Sequence, residues 1–293
     1  MIYGFILEHT EYPVVKWASF FEVSTSGYYT WRKERLAREA REQARRQRIR
    51  AIFNESGGTY GADRICGQLR RDGHTASYKR VKRTMMQEGL HSIHLRCQRS
   101  LTDSRKARGD DYPNLLRDRP VVVPFQALSS DISYIPTAEG FDYLCTIRDI
   151  ASGVVLAYKQ ADRMTHTLVL DTIDILHKRW HLHLNAGTIF HSDRGSQYTA
   201  SEVTKRLAAL GLRQSFSRVG KPGDNPWSES FFSILKKEAV HHVRFSSRQE
   251  ARDAMFVFID GFYNTRRIQK GLGYLPPLLW FRLWANRPLS LTA

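Results

Sequence analysis

The chain has 293 residues, 45 of them Lys or Arg against 29 Asp or Glu, for a net charge of +16 and a pI near 10.0. That length accommodates two domains with a real core, and that charge asks for a polyanionic partner, most commonly nucleic acid. No run of roughly 18 or more apolar residues occurs, which excludes a helical membrane span.

The opening MIYGFILEHTEY has no basic start and meets Glu8 early, so no secretory leader is expected. Cys66, Cys97 and Cys145 are odd in number and far apart. They fit neither a disulfide framework nor a zinc site and imply a reducing, cytoplasmic setting. The basic charge is uneven: residues 1–120 carry 24 basic and 14 acidic side chains, the rest 21 and 15. The N-terminal part is therefore the expected grip on DNA.

From Tyr12 to Trp31 the text predicts a short apolar helix that runs into a turn at Ser24–Tyr29. Residues 32–50 predict a long polar helix with nine basic and three acidic residues. Pairs such as Glu34–Arg38 and Glu42–Arg46 suit a solvated helix, and the excess charge equally suits a DNA backbone contact. Next, Thr59-Tyr60-Gly61 opens a helix with Ile65 and Leu69 inward, ended by Gly73. Ser77 caps a second, with Val81 and Met85 inward, ended by Gly89. Two short amphipathic helices joined through a glycine are a helix-turn-helix signature. The second presents Tyr78, Lys79, Arg80, Lys82 and Arg83 outward, which makes these residues candidate DNA contacts.

A basic, proline-bearing linker follows, and then the text alternates as strands over residues 127–135, 141–147 and 154–158. A helix over 164–180 carries Val169, Ile173, Leu176 and Trp180 on one stripe. Residues 186–191 then read as a buried strand broken by Ser192-Asp193-Arg194-Gly195. Asp193 thus falls at a strand's C-terminal end, where open α/β sheets gather ligands. Thr199 and Glu202 predict a capping box for a helix with Val203, Leu207 and Leu210 inward. Residues 212–217 are again extended. Asp224-Asn225-Pro226 opens a helix with Asn225 as cap, and Glu229 lies in its first turn. Lys236 stands seven residues on, two turns along the same face. Ser247 and Glu250 cap a last long helix running to Tyr263.

Three acids stand out: Asp131 in SSDISYI, Asp193 in HSDRGSQY and Glu229 in DNPWSESFFSILKKE. Those texts resemble the second-reading-frame (OrfB) transposases of the third bacterial insertion-sequence family, the IS-three group, which read roughly TDITYI, HSDQGSQY and DNAxMESFFxxLKxE. The helix-turn-helix segment YGADRICGQLRRDGHTASYKRVKRTMMQEGL and the closing YNTRRIQKGLGYLPP are similar to the family too. In the closing motif Gln269 stands where the family has His, and elsewhere Arg194 replaces Gln and Trp227 a smaller residue.

The resemblance implies an α/β fold: an RNase-H-like catalytic core, a mixed sheet flanked by helices, behind an all-helical helix-turn-helix region. The expected division is a helical basic region over 1–55, the helix-turn-helix over 56–92, a linker over 93–120, the core over 121–265 and a C-terminal tail over 266–293. It implies that Asp131, Asp193 and Glu229 hold two Mg²⁺ ions, with Mn²⁺ able to substitute, roughly 3.5–4 Å apart in such sites. Lys236 is the implied DNA contact beside them. The implied reaction is hydrolysis freeing a 3′-OH at a transposon end, then attack by that 3′-OH on another phosphodiester, through a circular intermediate. Implied partners are terminal inverted repeats and target DNA, further copies of the chain, and an upstream-frame (OrfA) product. His191 is the one histidine near this text, and a histidine at a strand end is more often a packed residue than a ligand. His181, His183, His241 and His242 lack partners at metal spacing. Two other classes stay open: a nuclease that cuts without joining, which precleaved ends would reveal, and a DNA-binding protein using only its helix-turn-helix.

Overall fold

The computed structural model describes residues 2–93, 113–117, 120–218 and 225–287. Most of the linker, Cys97 and the Gly-Lys-Pro loop with Asp224 lie outside these residues. The chain divides into two compact units, Met1–Ser92 and Ile93–Ala293.

The first unit is all helical: α1 (Ile2–Glu8), α2 (Val14–Phe20), α3 (Thr25–Glu55), α4 (Ala62–Arg71) and α5 (Tyr78–Gln87). The turn expected at Ser24–Tyr29 does not form; those residues begin α3, a single helix of 31 residues. Its start is fixed by Ser24, whose hydroxyl accepts from the Gly27 N–H at 3.2 Å. The Tyr3 hydroxyl of α1 lies against Gly27, where a Cβ would displace it. The expected helical hairpin is α4 and α5, joined through Gly73 at φ +79. Ile65, Leu69, Val81 and Met85 are buried. Ser77 holds the cap position of α5, but its side chain makes no capping bond. Glu88, just past α5, pairs with Arg46 and Arg50 of α3, locking the hairpin to the long helix.

The second unit is built on a five-stranded sheet in the order β3-β2-β1-β4-β5. Its strands are β1 (Ala127–Thr137), β2 (Gly140–Asp149), β3 (Val155–Ala161), β4 (Ile189–Ser192) and β5 (Arg213–Phe216). β1, β2 and β3 pair antiparallel; β1–β4 and β4–β5 pair parallel. Strand alternation sends neighbouring residues to opposite faces. On one face Leu128, Cys145, Ile147 and Leu156 meet Val169, Ile173 and Leu176 of α6 (His166–Trp180), and Val203 and Leu207 of α8 (Ser201–Ala209). On the other, Ile135, Leu144 and Val155 meet Phe231, Phe232 and Leu235 of α9 (Pro226–Leu235), and Met255 of α10 (Arg248–Phe256). The order of strands and helices, and the helix on each face, are those of the expected RNase-H-like core.

Several local expectations are corrected. Thr199 and Glu202 form no capping box, because a short helix α7 (Ser196–Thr199) precedes α8 and Ala200 occupies the cap. The Thr199 hydroxyl instead donates to the Gly195 carbonyl at 3.3 Å. The last long helix loosens at its end: α10 passes into a π-helical segment over Val257–Tyr263, as α9 does over Lys236–Val240. Ser247 does cap α10, accepting from the Glu250 N–H, while the Glu250 carboxylate turns back to the N–H of Ser246.

The stretch set apart as a tail over 266–293 carries structure of its own. Helix α11 (Pro277–Ala285) puts Phe281 against Phe125 and Trp180 of the core. Arg267 makes a two-pronged ion pair with Glu238, 2.8 and 2.7 Å, with side chains 1% and 0% exposed. Each charge is buried and depends on the other. Glu238→Gln or Arg267→Met alone is expected to cost about 3–5 kcal/mol. The double variant should recover much of that loss in urea unfolding, and additive losses would show that the pair is not coupled.

Candidate active site

Each of the three acids sits where an element ends or opens. Asp131 lies on β1 opposite Thr146 of β2, two residues past the last β1–β4 partner, Ser129. It is half-buried, and its Oδ1 accepts from the Ile132 N–H at 2.8 Å. Asp193 is the residue after β4 and is exposed. Its carboxylate folds back to accept from the Gly195 N–H at 3.0 Å, and a Cβ on Gly195 would stand 3.0 Å from that same oxygen. The acid thus lies against the backbone at Gly195. Glu229 is exposed in the first turn of α9, behind Pro226, which suits a first helical position that needs no N–H.

Asp131 feels the other two acids. Burial and the nearby Asp193 carboxylate push Asp131 up from 3.8 to about 7, Glu229 adds to the rise, and Lys236 opposes it. Glu229 is itself pushed up by burial. None of the three has an ion-pair partner among the described residues. The acids used structurally look different. Asp142 is paired with Arg252 and takes a bond from Gln160. Asp149 accepts from the Phe125 and Ser152 N–H groups and the Ser152 hydroxyl.

Among the described residues, no three His, Cys, Asp or Glu side chains stand close enough together to hold a metal ion as they are placed. The donor chemistry nonetheless suits one: unpaired carboxylates that repel each other, with no histidine or thiol among them, match a hard cation. His191 is not available as a further ligand. It is fully buried, and its Nδ1 and Nε2 face the Ser215 hydroxyl at 2.8 Å and the Ser217 hydroxyl at 3.2 Å. His183 stacks on Phe125 with centroids 5.1 Å apart.

Lys236 follows α9, and its Nζ lies over the Tyr134 ring at 4.6 Å. Burial lowers its pKa and Asp131 raises it, so the ammonium stands on the acids' side of the helix. In the first unit Lys79, Arg80, Lys82 and Arg83 are all exposed on α5. Arg80 also lowers the pKa of Arg45 on α3, behind the larger effect of burial, so basic groups of both helices converge.

Some contacts escape sequence reading. The Asn225 side chain does not cap α9; its amide donates to the Ser130 carbonyl at 3.3 Å. Arg148, buried on β2, donates to the Trp227 carbonyl in the first turn of α9 and to the Tyr263 hydroxyl, the latter at 3.0 Å. A lone arginine in the apolar text YLCTIRDI is the signal that was there to be read, since a buried charge needs partners.

Comparison with known proteins agrees with this geometry. An integrase core domain model matches residues 123–222, a second integrase core model matches 210–277, and an HTH-like domain matches 39–97. The transposase for insertion sequence element IS904 of Lactococcus lactis is 35% identical over 245 residues, covering 82% of this chain and 96% of that protein. Transposase InsF for insertion sequence IS3A of Escherichia coli is 31% identical over 284 residues, 94% of this chain and 97% of InsF. The chain belongs to the IS3 family of transposases. A looser likeness, at TM-score 0.41 and 16% identity, is to the catalytic core domain of BIV integrase, over 55% of this chain and 96% of that one. No helix among the described residues of this transposase is long and apolar enough to cross a membrane.

The raised Asp131 has a measurable consequence in metal-free transposase. The folded state binds this proton more tightly than the unfolded chain does, so ionisation of Asp131 above about 7 works against folding. Asp131→Asn is therefore expected to be more stable than wild type at about pH 8 with a chelator present. That advantage should shrink as pH falls through about 7. A stability difference that ignores pH would mean the carboxylates do not feel one another.

Proposed function

We propose that this IS3-family transposase cuts the ends of its element and joins the freed 3′-OH to another phosphodiester, using Asp131, Asp193 and Glu229. What carries the reading is the setting of the acids: Asp131 is pushed to about 7 by burial, Asp193 and Glu229 with no ion-pair partner among the described residues, whereas Asp142 is paired with Arg252 and Asp149, also pushed up by burial, accepts three hydrogen bonds. A fold that leaves such a group uncompensated leaves it for a ligand of opposite charge. Asp131, Asp193 and Glu229 would hold divalent metal, Mg²⁺ or Mn²⁺ as two ions, which when bound neutralises phosphate charge and lowers the pKa of an attacking oxygen.

The chain's own residues supply the rest. Lys236 presents a cation beside Asp131, placed to meet a phosphate next to the scissile one. Asp193 and Glu229, both exposed, open the site to a duplex rather than to a small molecule. The exposed face of α5, with Lys79, Arg80, Lys82 and Arg83, serves as the grip on terminal repeat DNA, contacting phosphates for position and base edges for sequence. Assembly of several copies on two ends, and help from an upstream-frame product, complete the proposal. The division of labour follows: helices over 1–55 and 56–92 bind, a linker over 93–120 connects, and the core over 121–265 reacts.

Asp131→Asn, Asp193→Asn and Glu229→Gln are each expected to abolish cleavage of a labelled end, and joining of a precleaved end, in Mg²⁺ while retaining DNA binding. Cleavage without joining by wild type would make the protein a nuclease; joining by an acid variant would remove that acid from the site. On the same substrate Lys236→Ala should lose roughly 1–3 kcal/mol of transition-state stabilisation, a charge-assisted contact, and Lys237→Ala much less. No loss in either variant would place Lys236 on ordinary surface, and a larger loss in Lys237→Ala would mean that the wrong lysine faces the DNA.

The grip is tested apart from the chemistry. Replacing Lys79, Arg80 and Arg83 together by Ala should flatten the dependence of log affinity on log salt by roughly 0.9 for each phosphate that is no longer neutralised. An unchanged slope would turn α5 away from DNA.

A further inference from the structure

We infer that Ser130 is a positioning residue, tying the strand of Asp131 at once to the segment behind Asp193 and to the helix of Glu229. The inference rests on the reading of those three acids given above. Ser130 is fully buried on β1, and alternation turns its side chain to the face opposite that of Asp131. There its hydroxyl meets the Tyr198 hydroxyl at 2.9 Å. Tyr198 is 1% exposed on α7, five residues past Asp193, and its ring packs on Phe190 of β4, the strand that delivers Asp193. The Cys145 thiol closes the group, 3.9 Å from one hydroxyl and 3.8 Å from the other.

The second tie uses the backbone. Pairing between β1 and β4 ends at Ser129 and His191, so the next carbonyl along β1 has no partner on β4. The Asn225 amide takes it at 3.3 Å. Asn225 is 6% exposed, and its own carbonyl accepts the N–H of Glu229 at 3.3 Å. One residue beside Asp131 therefore touches both of the other acid-bearing segments, through different groups and on different sides of the sheet. The Tyr198 hydroxyl is close enough to the acids that, behind burial and Cys145, both Asp131 and Asp193 push its pKa up. Carboxylates brought close together need backbones that cannot drift apart, and these two bonds add to the β1–β4 pairing in holding them.

The energetics allow positioning to be told from packing. Removing one hydroxyl of a buried pair strands the other, whereas removing both leaves only the weakly polar Cys145 thiol, which keeps Thr172 as a partner. Ser130→Ala and Tyr198→Phe should each lower the melting temperature, and the double variant should regain much of that loss. Turnover should not follow. In the double variant we expect kcat for end cleavage to remain about tenfold or more below wild type, with KM for the end DNA unchanged. A double variant that returns to wild-type kcat, or whose defect lies in KM, overturns the inference. If Ser130→Ala fails to fold, Tyr198→Phe, which removes a single oxygen, is judged by the same split between kcat and KM. Asp131→Asn assayed alongside separates the two levels. Activity in Asp131→Asn removes the reading of the acids and the inference with it; an inactive Asp131→Asn beside a fully active double variant removes the positioning role alone.

Discussion

The burial of Asp131 within reach of the Asp193 and Glu229 carboxylates is the constraint on which the second unit turns. The cost is visible in Asp131, which burial and then the Asp193 carboxylate push up to about 7. Carboxylates left to themselves would turn apart into water. Here they come from three elements that cannot separate without breaking a core. β1 and β4 are central in the sheet, and α9 is fastened by Phe231, Phe232 and Leu235 against Ile135 and Leu144. Hydrophobic burial thus does the work of bringing like charges together, and hydrogen bonds set the details.

The ends of α9 show how. At its start, Asn225 donates to β1 and the Trp227 carbonyl accepts from Arg148 of β2. Beyond its end, Glu238 is locked to Arg267. Between these anchors the helix changes to π geometry at Lys236, which widens the turn just where the lysine leaves the helix to lie over Tyr134. Segments of this kind are seldom placed by chance, because their hydrogen bonds are poorer than those of an α-helix. The C-terminal YNTRRIQ text serves the same end from a distance: Tyr263 and Arg267 brace the residues that brace Glu229.

What was legible in the sequence was whatever depends on local order. Asp193 sits after a strand and Glu229 behind Asn225-Pro226, and both positions follow from breaker and cap residues alone. The basic face of α5 follows from helical spacing. What was not legible depends on tertiary partners. Asn225 and Thr199 have the composition of caps, yet Asn225 bonds a neighbouring strand and Thr199 belongs to a separate short helix. Ser24 ends no helix; it begins one, because aromatic helices α1 and α2 pack on the first turns of α3 and make helix there worth more than turn. A serine inside a strand, such as Ser130, carries no periodic signal at all, and only the arrival of Tyr198 and Asn225 gives it a role.

The same division separates the backbones of the three proposed site acids from their side chains. Burial fixes the backbones: Ser130, Ser192 and Ser228, each next to one of the acids in sequence, are fully buried. The side chains of Asp193 and Glu229 are exposed, so their torsions remain the adjustable coordinates. Of the two, Asp193 is the more restrained, since its Oδ1 is engaged by the Gly195 N–H and backed by a residue without a Cβ. Glu229 has one more torsion, and its carboxylate has no hydrogen-bond partner among the described residues. A cation entering such a site meets one half-buried carboxylate, one oriented by the backbone, and one still free to turn. In the reaction proposed above, its arrival would relieve the repulsion on Asp131 and order Glu229 in the same event, coupling metal binding to the geometry of the site.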